Sequence, residues 1–214
     1  MSIIINDLVE NYIDGLYKCK NEFLKDMRAF AEQNNIPIIT KDTEQFMSIL
    51  LTIHRPRRLL EIGTAIGYSA MSFAATSDEL EIVSIELGDK MYDLALKNIA
   101  DAGLNPRIKV IKGDAREVLS NINPEFDMIF IDAAKGQYKL FFDDSQKLLS
   151  PKGIIVSDNV LYKGMTASNE YLVKRKRTIV KRMREYLKYI SNHPEYETAV
   201  LPIGDGIAVS VRKG

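Results

Sequence analysis

Oxygen-bearing side chains follow two apolar segments in the second half of the chain. Asp132 ends the first segment, and Asp158 and Asn159 end the second. If the two segments are neighbouring parallel strands, their carboxyl ends meet at one edge of a sheet. Two carboxylates and an amide oxygen suit Mg²⁺, Mn²⁺ or Ca²⁺ better than zinc. A divalent-cation site is therefore possible, although on spacing alone a helix-capping acid and a turn asparagine explain the residues at least as well.

Lys135 lies three residues after Asp132, in the sequence Asp132-Ala133-Ala134-Lys135. On the first turn after the strand, its amine would reach the space that the metal would occupy. A divalent cation disfavours a protonated amine nearby because like charges repel, and a neutral amine can accept a proton. Lys135 is therefore a candidate general base. The alternative is an ordinary exposed lysine, which is the commoner case.

The segment from Leu59 to Ser69 combines an apolar run with a turn that carries Gly63 and Gly67. Glycine lacks a Cβ and tolerates positive φ, so the backbone can approach a ligand closely there. Glu86 ends the next apolar run, where its carboxylate could accept hydrogen bonds from both hydroxyls of a ribose. The glycines are spaced G-x-x-x-G, and no third glycine follows to cradle a pyrophosphate. The pattern therefore favours a nucleoside without a pyrophosphate, such as S-adenosylmethionine.

Asp114 follows a third apolar segment, in Lys112-Gly113-Asp114-Ala115, and could accept a hydrogen bond from the exocyclic amine of adenine. Taken alone, each acid at a strand end could simply cap the helix that follows. Glu86, Asp114 and Asp132 together, beside the glycine turn, favour ligand binding. The carboxyl edge of an open α/β sheet is where ligands bind.

These residues require a parallel sheet that brings the strand ends together. Apolar runs alternate with helical patterns, which predicts an α/β fold with strands at Arg58 to Ile62, Glu81 to Glu86, Ile108 to Lys112, Phe126 to Asp132 and Gly153 to Asp158. A predicted hairpin, Tyr196 to Leu201 and Gly206 to Arg212, places an antiparallel strand at or near the sheet edge. We expect one domain over residues 1–214, with a helical extension (1–53) before an α/β core (54–214).

The bulk composition is that of a soluble globular protein. The chain has 214 residues and a net charge of zero, so any attraction to nucleic acid must come from local patches. Cys19 is the only cysteine, which excludes an intrachain disulfide and a cysteine zinc site. We find no signal peptide and no apolar stretch long enough for a bilayer, so we expect a cytoplasmic protein without membrane association.

The chain resembles the cation-dependent class I O-methyltransferases, the group that contains catechol and caffeoyl-coenzyme A O-methyltransferases. The resemblance covers nearly the whole chain. It rests on the motifs Glu61-Ile62-Gly63-Thr64-Ala65-Ile66-Gly67-Tyr68-Ser69, Gly113-Asp114-Ala115, Phe130-Ile131-Asp132-Ala133-Ala134-Lys135 and Ser157-Asp158-Asn159-Val160, with Glu86 and with Ile38-Ile39 in the helical extension. It implies a Rossmann-like methyltransferase sheet of seven strands, mostly parallel, with one antiparallel strand near the edge.

The resemblance also implies a role for each site residue. Asp132, Asp158 and Asn159 hold Mg²⁺ or Mn²⁺, and Lys135 is the base. The cofactor, S-adenosylmethionine, is bound by Ile39, Glu61, Gly63, Ser69, Glu86, Asp114, Ala115 and Asp132. The metal would bind two neighbouring substrate oxygens and stabilise the deprotonated one, which accepts the methyl group. Family members are often dimers, so we expect a homodimer, with the helical extension as a candidate surface.

Within this family, the chain most resembles a bacterial branch that includes the tRNA 5-hydroxyuridine methyltransferases. These enzymes make 5-methoxyuridine at the wobble position of the anticodon, where the 5-hydroxyl and the 4-carbonyl form a catechol-like pair of oxygens. The expected substrate is therefore the tRNA anticodon loop. A small catechol or a caffeoyl-coenzyme A-type ester is an alternative for the same site. A protein that binds the cofactor without catalysis is a third alternative, which the intact site residues disfavour.

Positive charge on one predicted helix favours RNA. The segment from Val173 to Lys188 has the pattern of an amphipathic helix with a basic stripe at Lys174, Arg177, Lys181, Arg184 and Lys188. A second basic cluster, Arg55, Arg57 and Arg58, precedes the first strand. Such a stripe can follow the phosphates of RNA. The alternative is a solvated helix face, which is the usual meaning of a run of charges.

Overall fold

A computed structural model of the protein describes residues 7–123 and 125–213. Its strands are β1 (Arg58–Ile62), β2 (Glu81–Glu86), β3 (Ile108–Lys112), β4 (Phe126–Ile131), β5 (Leu149–Ser157), β6 (Tyr196–Leu201) and β7 (Ile207–Arg212). Its α-helices are α1 (Asp7–Leu16), α2 (Glu22–Gln33), α3 (Lys41–His54), α4 (Tyr68–Ala74), α5 (Asp89–Asp101), α6 (Ala115–Val118), α7 (Tyr138–Ser145) and α8 (Arg177–Ser191). Short 3₁₀ turns lie at Leu119–Asn121, Lys135–Gln137 and Lys174–Lys176.

The seven strands of the described chain form one sheet, in the order β3-β2-β1-β4-β5-β7-β6. The first five in this order are parallel, whereas β7 runs antiparallel to both β5 and β6. The predicted Rossmann-like sheet with one antiparallel strand near its edge is therefore confirmed. Strands β2 and β3 lie on one side of β1, and β4 and β5 lie on the other, so the order of the strands reverses direction at β1. Such a switch point opens a crevice at the carboxyl ends of the strands, where ligands bind in sheets of this kind.

The predicted strands match the observed ones to within one residue at every end except the start of β5. This strand begins at Leu149 instead of Gly153, because Leu149 pairs with Phe126 before the register shifts. Gly153 makes room for the irregularity, since a Cβ there would lie 2.4 Å from Cγ of Leu149. The missing side chain at Gly153 thus lets the strand start four residues earlier than its apolar run.

The central strands are buried on both faces, which is why they read as continuous apolar runs. Along β4, Met128 and Phe130 belong to one core layer, while Ile129 and Ile131 belong to the other. The first layer includes side chains from α2, α3 and α4, and the second includes side chains from α7 and α8. Burial of one large apolar side chain contributes roughly 1.5–3 kcal/mol, so the two layers hold the strand ends firmly in place.

Helices α1, α2 and α3 precede the sheet, in the region where the sequence predicts helices. The α2 helix begins after Asn21, whose side chain accepts a hydrogen bond from Leu24 N at 2.8 Å. The connector between α2 and α3 runs past the carboxyl ends of the strands, where Ile38 and Ile39 reach the crevice. Within the described residues, none of the helices is both long and apolar enough to cross a bilayer.

We expect Gly63→Ala to destabilise the protein more than Gly103→Ala. Both glycines have positive φ, 106° and 67°, so both substitutions strain the backbone. A Cβ at Gly63 would also lie 2.0 Å from the carbonyl oxygen of Asp132, whereas no neighbouring group lies within 4 Å at Gly103. The free energy of unfolding should fall by about 1 kcal/mol for Gly103→Ala and by about 3 kcal/mol or more for Gly63→Ala. Urea denaturation measures both losses, and equal losses would contradict the close packing at Gly63.

Candidate active site

A cavity of about 440 Å³ opens at the carboxyl ends of β1, β2, β3 and β4. It is lined by the connector between α2 and α3, by the turn between β1 and α4, and by the residues that follow β2, β3 and β4. The predicted residues that line it are Ile39, Gly63, Ser69, Glu86, Asp114, Ala115, Asp132, Lys135 and Asn159. The switch point of the sheet therefore brings most of the predicted site to one place.

Backbone hydrogen bonds continue the sheet one residue past the strand ends. Gly63 N donates to Ile85 O at 3.0 Å, Asp132 N to Ile62 O at 2.9 Å, and Asp158 N to Ile131 O at 3.0 Å. These bonds satisfy buried main-chain groups and fix the backbone of the site residues as they fix the strands. The site is therefore built on rigid elements, although its residues lie outside the strands themselves.

The carboxylate of Glu86 is anchored by backbone groups. Its Oε2 accepts hydrogen bonds from Ala65 N at 2.8 Å and Thr64 N at 3.2 Å, and its Oε1 accepts one from Gly88 N at 2.8 Å. Ala65 has a φ of 47°, a left-handed conformation that is unfavourable for alanine, and the bond to Glu86 stabilises it. Oε2 already accepts two of these hydrogen bonds, whereas Oε1 accepts one and keeps a lone pair, so Glu86 can still bind a hydroxyl of a ribose.

Asp114 caps a helix and also faces the cavity. It precedes α6, and its Oδ1 accepts a hydrogen bond from Arg116 N at 3.0 Å. The guanidinium of Arg116 bonds both carboxylate oxygens, and this side-chain contact is the largest effect that lowers the pKa of Asp114. A charged carboxylate in this position can accept a further hydrogen bond from an amine such as that of adenine.

Glu61 does not line the cavity, in contrast to the position that the resemblance implies for it. Its side chain is fully buried and accepts hydrogen bonds from Ser69 Oγ at 2.5 Å and from Ser84 Oγ. Of these two serines, Ser69 lines the cavity. Glu61 therefore orients Ser69 rather than contacting a ligand directly. Burial raises the pKa of Glu61 to about 7, because a charged carboxylate is poorly solvated there.

Asp132 and Asn159 meet at the cavity wall, with Asp158 next to them. Asn159 Nδ2 donates to Asp132 Oδ1 at 3.0 Å, and Asn159 N donates to Asp158 Oδ1 at 2.6 Å. Asp158 is buried and does not line the cavity, whereas the other two residues do. Asn159 has a φ of 58°, in the left-handed region that asparagine tolerates better than most residues. This bend lets Asn159 face Asp132 while Asp158 stays buried.

The chemistry of these three residues fits a divalent cation. Burial raises the pKa of Asp132, and burial together with the charge of Asp132 raises the pKa of Asp158. Two carboxylates that repel each other gain from a nearby cation, and an amide oxygen completes a hard donor set. In the residues that the structure describes, no group of three His, Cys, Asp or Glu side chains is placed to hold a metal ion, so the donor set combines two acids with one amide.

Lys135 lies on the cavity wall, in the 3₁₀ turn that follows Asp132. Its Nζ lies 5.6 Å from the ring centroid of Tyr162. Its positive charge opposes the rise in the pKa of both Asp132 and Asp158, so the amine lies near the two acids. The structure thus brings the predicted base to the predicted metal residues.

The basic stripe predicted on one helix begins in the 3₁₀ turn at Lys174 and continues on α8, and it is only partly available for RNA. Four of its members are exposed: Lys174, Arg177, Lys181 and Lys188. Arg184 differs from them, because it donates from Nε to Thr166 O and from Nη2 to Met165 O, both at 2.9 Å. Arg184 therefore holds the loop that follows the predicted metal residues, and its position does not support the predicted contact with RNA.

The second basic cluster lies at the opposite edge of the sheet from the cavity. Arg58 begins β1, whereas the cavity lies at the end of that strand, about 13 Å away for a strand of this length. Arg58 Nη1 donates to Glu125 O at 2.9 Å, and its guanidinium lies 4.6 Å from the ring centroid of Phe126. Arg55 and Arg57 precede Arg58 directly. The structure therefore separates these three residues from the cavity, so the RNA contact predicted for them would lie away from the base that enters the cavity.

Sequence reasoning missed several lining residues, namely Pro37, Ile38, Tyr68, Leu87 and Phe141. Leu87 is 68% exposed directly after Glu86. A large apolar residue directly after the acid predicted to bind a ribose is a signal for a base-binding surface, and its exposure in the structure agrees with this. Phe141 carries no such signal, because it has the spacing of an ordinary core residue of α7.

We expect Glu61→Gln to remove a pH dependence of stability. Folding raises the pKa of Glu61 from 4.5 to about 7, so the folded state binds more protons than the unfolded state between these values. The free energy of unfolding therefore falls as the pH rises from about 4.5 to about 7. For the neutral glutamine this loss, roughly 2–4 kcal/mol, should be absent.

Denaturation of both proteins at about pH 5 and about pH 8 isolates the contribution of Glu61. Glu79→Gln, which removes an exposed carboxylate, is the matched control and should follow the wild type. A stability difference between wild type and Glu61→Gln that is the same at both pH values would show that Glu61 does not take up a proton on folding.

Comparison with known proteins identifies the family. The family model described as O-methyltransferase matches residues 16–213. A caffeoyl-CoA O-methyltransferase from Populus kitakamiensis is 28% identical, over 98% of this chain and 95% of its own. The match therefore covers the helical extension as well as the sheet.

Solved structures agree with the fold. A candidate caffeoyl-CoA O-methyltransferase from Staphylococcus aureus shares 36% identity with a TM-score of 0.91, over 96% of this chain and 100% of its own. An O-methyltransferase from Bacillus cereus, in complex with S-adenosylhomocysteine, shares 29% identity with a TM-score of 0.83, over 96% of this chain and 97% of its own. The chain therefore belongs to the O-methyltransferase family of S-adenosylmethionine-dependent enzymes.

Proposed function

We propose that the protein transfers a methyl group from S-adenosylmethionine to the 5-hydroxyl of 5-hydroxyuridine at the wobble position of tRNA. The product is 5-methoxyuridine. One observation carries the proposal: Glu86, Asp132, Lys135 and Asn159 all line the same cavity. A cofactor held at Glu86 and a hydroxyl held beside Lys135 would be in contact there. Alignment of two reactants accounts for a large part of the rate of such a transfer.

The adenosine part of the cofactor fits the side of the cavity that carries Glu86 and Asp114. Oε1 of the anchored Glu86 carboxylate would accept a hydrogen bond from a ribose hydroxyl, and Asp114 would accept one from the adenine amine. Leu87 and Ile39 supply apolar surface for the base. The complex of the Bacillus cereus relative with S-adenosylhomocysteine, the product of such a transfer, supports this assignment.

Asp132, Asp158 and Asn159 would hold Mg²⁺ or Mn²⁺, since all three supply oxygen donors. When bound, the ion supplies a Lewis acid that favours ionisation of a substrate hydroxyl. Asp158 also holds the backbone of Asn159 through Oδ1, and Asn159 in turn holds Asp132. The three residues therefore keep one another in position without the ion.

Lys135 would act as the general base. Its Nζ would accept the proton of the substrate hydroxyl, which leaves an oxyanion. The oxyanion attacks the methyl carbon, and the electron pair of the carbon–sulfur bond returns to sulfur. The cofactor then leaves as S-adenosylhomocysteine. The ring of Tyr162, whose centroid lies 5.6 Å from Nζ of Lys135, would help to hold the amine at the cavity wall.

Positive side chains beside Lys135 support an RNA substrate. Lys176 Nζ lies 5.8 Å from the ring centroid of Tyr162, and Lys135 Nζ lies 5.6 Å from the same centroid. Arg182 Nη1 donates to Gly136 O at 3.4 Å, one residue after Lys135. These cations can bind the phosphates that flank a base in the cavity, and an unpaired loop base can be splayed out to reach it.

An ester of coenzyme A is the second candidate substrate. The Populus relative is a caffeoyl-CoA O-methyltransferase, and a caffeoyl ring has the same pair of adjacent oxygens as 5-hydroxyuridine. Lys176 and Arg182 could bind the phosphates of such an ester as well. A small catechol would make no use of these cations. The three substrates therefore differ in their phosphate contacts, and so in the salt dependence of their binding.

We also propose a cytoplasmic location and a homodimer. A tRNA substrate implies the cytoplasmic location. The homodimer follows from the resemblance to a family whose members are often dimers, and α1 offers an apolar surface for it. On this helix Tyr12 and Leu16 are 70% and 58% exposed.

Methylation of tRNA tests the proposed function. The purified protein, S-adenosylmethionine, Mg²⁺ and tRNA from cells that lack the wobble-uridine methyl group should yield 5-methoxyuridine, detected by mass spectrometry of the digested nucleosides. Asp132→Ala should lower the product at least about 100-fold, because it removes a metal-binding carboxylate. Asp78→Ala removes a fully exposed carboxylate elsewhere and should leave the product unchanged.

Two other outcomes would replace the proposal. Methylation of caffeoyl-coenzyme A or of a catechol, without any tRNA product, would establish the second candidate or its small-molecule variant. Binding of S-adenosylhomocysteine with no turnover on any of the three substrates would indicate a protein that binds the cofactor without catalysis.

The cations beside the cavity should affect tRNA but not a small catechol. We expect Lys176→Gln and Arg182→Gln each to raise the KM for tRNA severalfold. Each should also reduce the slope of log KM against log salt concentration by about 1. Arg57→Gln removes the same charge at the opposite edge of the sheet and should change neither value. Steady-state kinetics at several salt concentrations measures both effects. Equal effects of all three substitutions would indicate general attraction and contradict a phosphate-binding surface beside Lys135.

A further inference from the structure

The connector between α2 and α3 forms one wall of the cavity. Pro37, Ile38 and Ile39 line the cavity, and Ile39 is buried. The two helices determine where this wall begins and ends, so their relative position decides the width of the cavity. That position depends on a group of buried polar side chains that is separate from the proposed metal residues and base.

Glu44 of α3 is the centre of this group. It is 2% exposed. Its four donors are Arg28 Nη2, Tyr17 OH, Tyr68 OH and Ser72 Oγ, each at 2.8 Å. Burial by itself raises the pKa of Glu44, but the hydrogen bonds from Tyr68, Tyr17 and Arg28 outweigh burial and lower it. Glu44 is therefore a buried anion that joins α3 to α2, to α4 and to the segment after α1.

Arg28 of α2 is the cation that balances Glu44. It is 8% exposed, and its guanidinium lies 4.7 Å from the ring centroid of Tyr68. Its Nε also donates to the hydroxyl of Tyr68 at 3.2 Å. A buried ion pair adds little net stability, because both ions lose their water, but it requires a defined geometry. In this protein the geometry that the pair defines includes the position of Tyr68.

Tyr68 connects the group to the cavity. It is the first residue of α4, and both Tyr68 and the next residue, Ser69, line the cavity. The hydroxyl of Tyr68 is held by Glu44 and Arg28, while Ser69 is held by Glu61. The first turn of α4 is thus fixed by buried acids on two sides.

We propose that Arg28, Glu44 and Tyr68 are positioning residues that set the affinity for the cofactor. The ion pair holds the connector at residues 34–40, and the bonds to Tyr68 hold the first turn of α4. Both walls of the cavity then keep the spacing that the cofactor requires. Because the group is separate from Lys135 and the metal residues, it affects binding and not the transfer step. The proposal rests on the assignment of S-adenosylmethionine to this cavity.

The other end of the connector is anchored independently. Asp42 Oδ2 accepts a hydrogen bond from Gly204 N at 2.6 Å. A Cβ at Gly204 would lie 2.7 Å from Thr40 Oγ1, so the turn between β6 and β7 packs directly against the start of α3. With this contact intact, loss of the Arg28–Glu44 pair should loosen the cavity wall without releasing the whole helical extension.

Binding of S-adenosylhomocysteine to the full-length protein tests the proposal. Tyr68→Phe removes the hydroxyl and retains the ring, and Glu44→Gln removes the charge and retains the size. We expect each to weaken binding about tenfold, as for loss of a hydrogen bond to a charged group, measured by isothermal titration calorimetry. Tyr196→Phe is the matched control, because it removes a buried hydroxyl bonded to Arg212 at 3.0 Å, away from the cavity. Its affinity should stay within about twofold of wild type.

Steady-state kinetics separates positioning from a general loss of structure. The KM for S-adenosylmethionine should rise by a similar factor, while kcat at saturating cofactor stays within about twofold of wild type. Unchanged affinity in a folded Tyr68→Phe overturns the proposal, even if Glu44→Gln fails to fold. An equal loss of affinity in Tyr196→Phe also overturns it, since the effect would then be general. Failure of the wild type to bind S-adenosylhomocysteine would instead overturn the proposed cofactor.

Discussion

The continuation of backbone hydrogen bonds past the strand ends is the constraint on which the rest of the site depends. Gly63, Asp132 and Asp158 each donate a backbone N–H to a residue of the neighbouring strand. Because the sheet is buried on both faces, these backbones cannot shift without opening a core layer. Gly63 completes the arrangement, since the absence of a side chain lets it lie against the carbonyl of Asp132. The glycine turn and the proposed metal residues thus become neighbours through main-chain contacts.

Several buried or half-buried acids lie around the cavity, and they differ in the groups that donate hydrogen bonds to them. Burial favours the protonated form of Glu61 and raises its pKa to about 7. Glu44 is kept ionised by the donors around it, which outweigh its burial. Asp132 and Asp158 have no comparable number of donors, and their mutual repulsion favours a cation. One type of group thus serves as a neutral hydrogen-bond partner, a structural anion and a proposed metal ligand, according to the donors that surround it.

Features that depend on local pattern could be predicted from the sequence, and features that depend on packing could not. Apolar runs define the strands, and so they also define the acids that follow the strand ends. The start of β5 could not be predicted in this way, because Leu149 pairs with β4 and is followed by a segment that contains Ser, Pro and Lys instead of an apolar run. The bond between Glu44 and Tyr68 joins residues 24 positions apart, which no periodicity encodes. Arg184 resembles its basic neighbours in sequence, and only the path of a distant loop makes it structural.

The two bonds from Arg184 tie the loop that follows the proposed metal residues to α8. Asn159, Tyr162 and Lys163 in that segment have positive φ without being glycine, so local preference does not set its shape and outside contacts must. A replacement of Arg184 therefore removes both bonds from the loop, whereas a new side chain at Met165 or Thr166 leaves the carbonyls that accept them. New substrate ranges on this scaffold would arise by concerted change of both segments. A loop transplanted alone from a relative would lose the partner that gave it its shape.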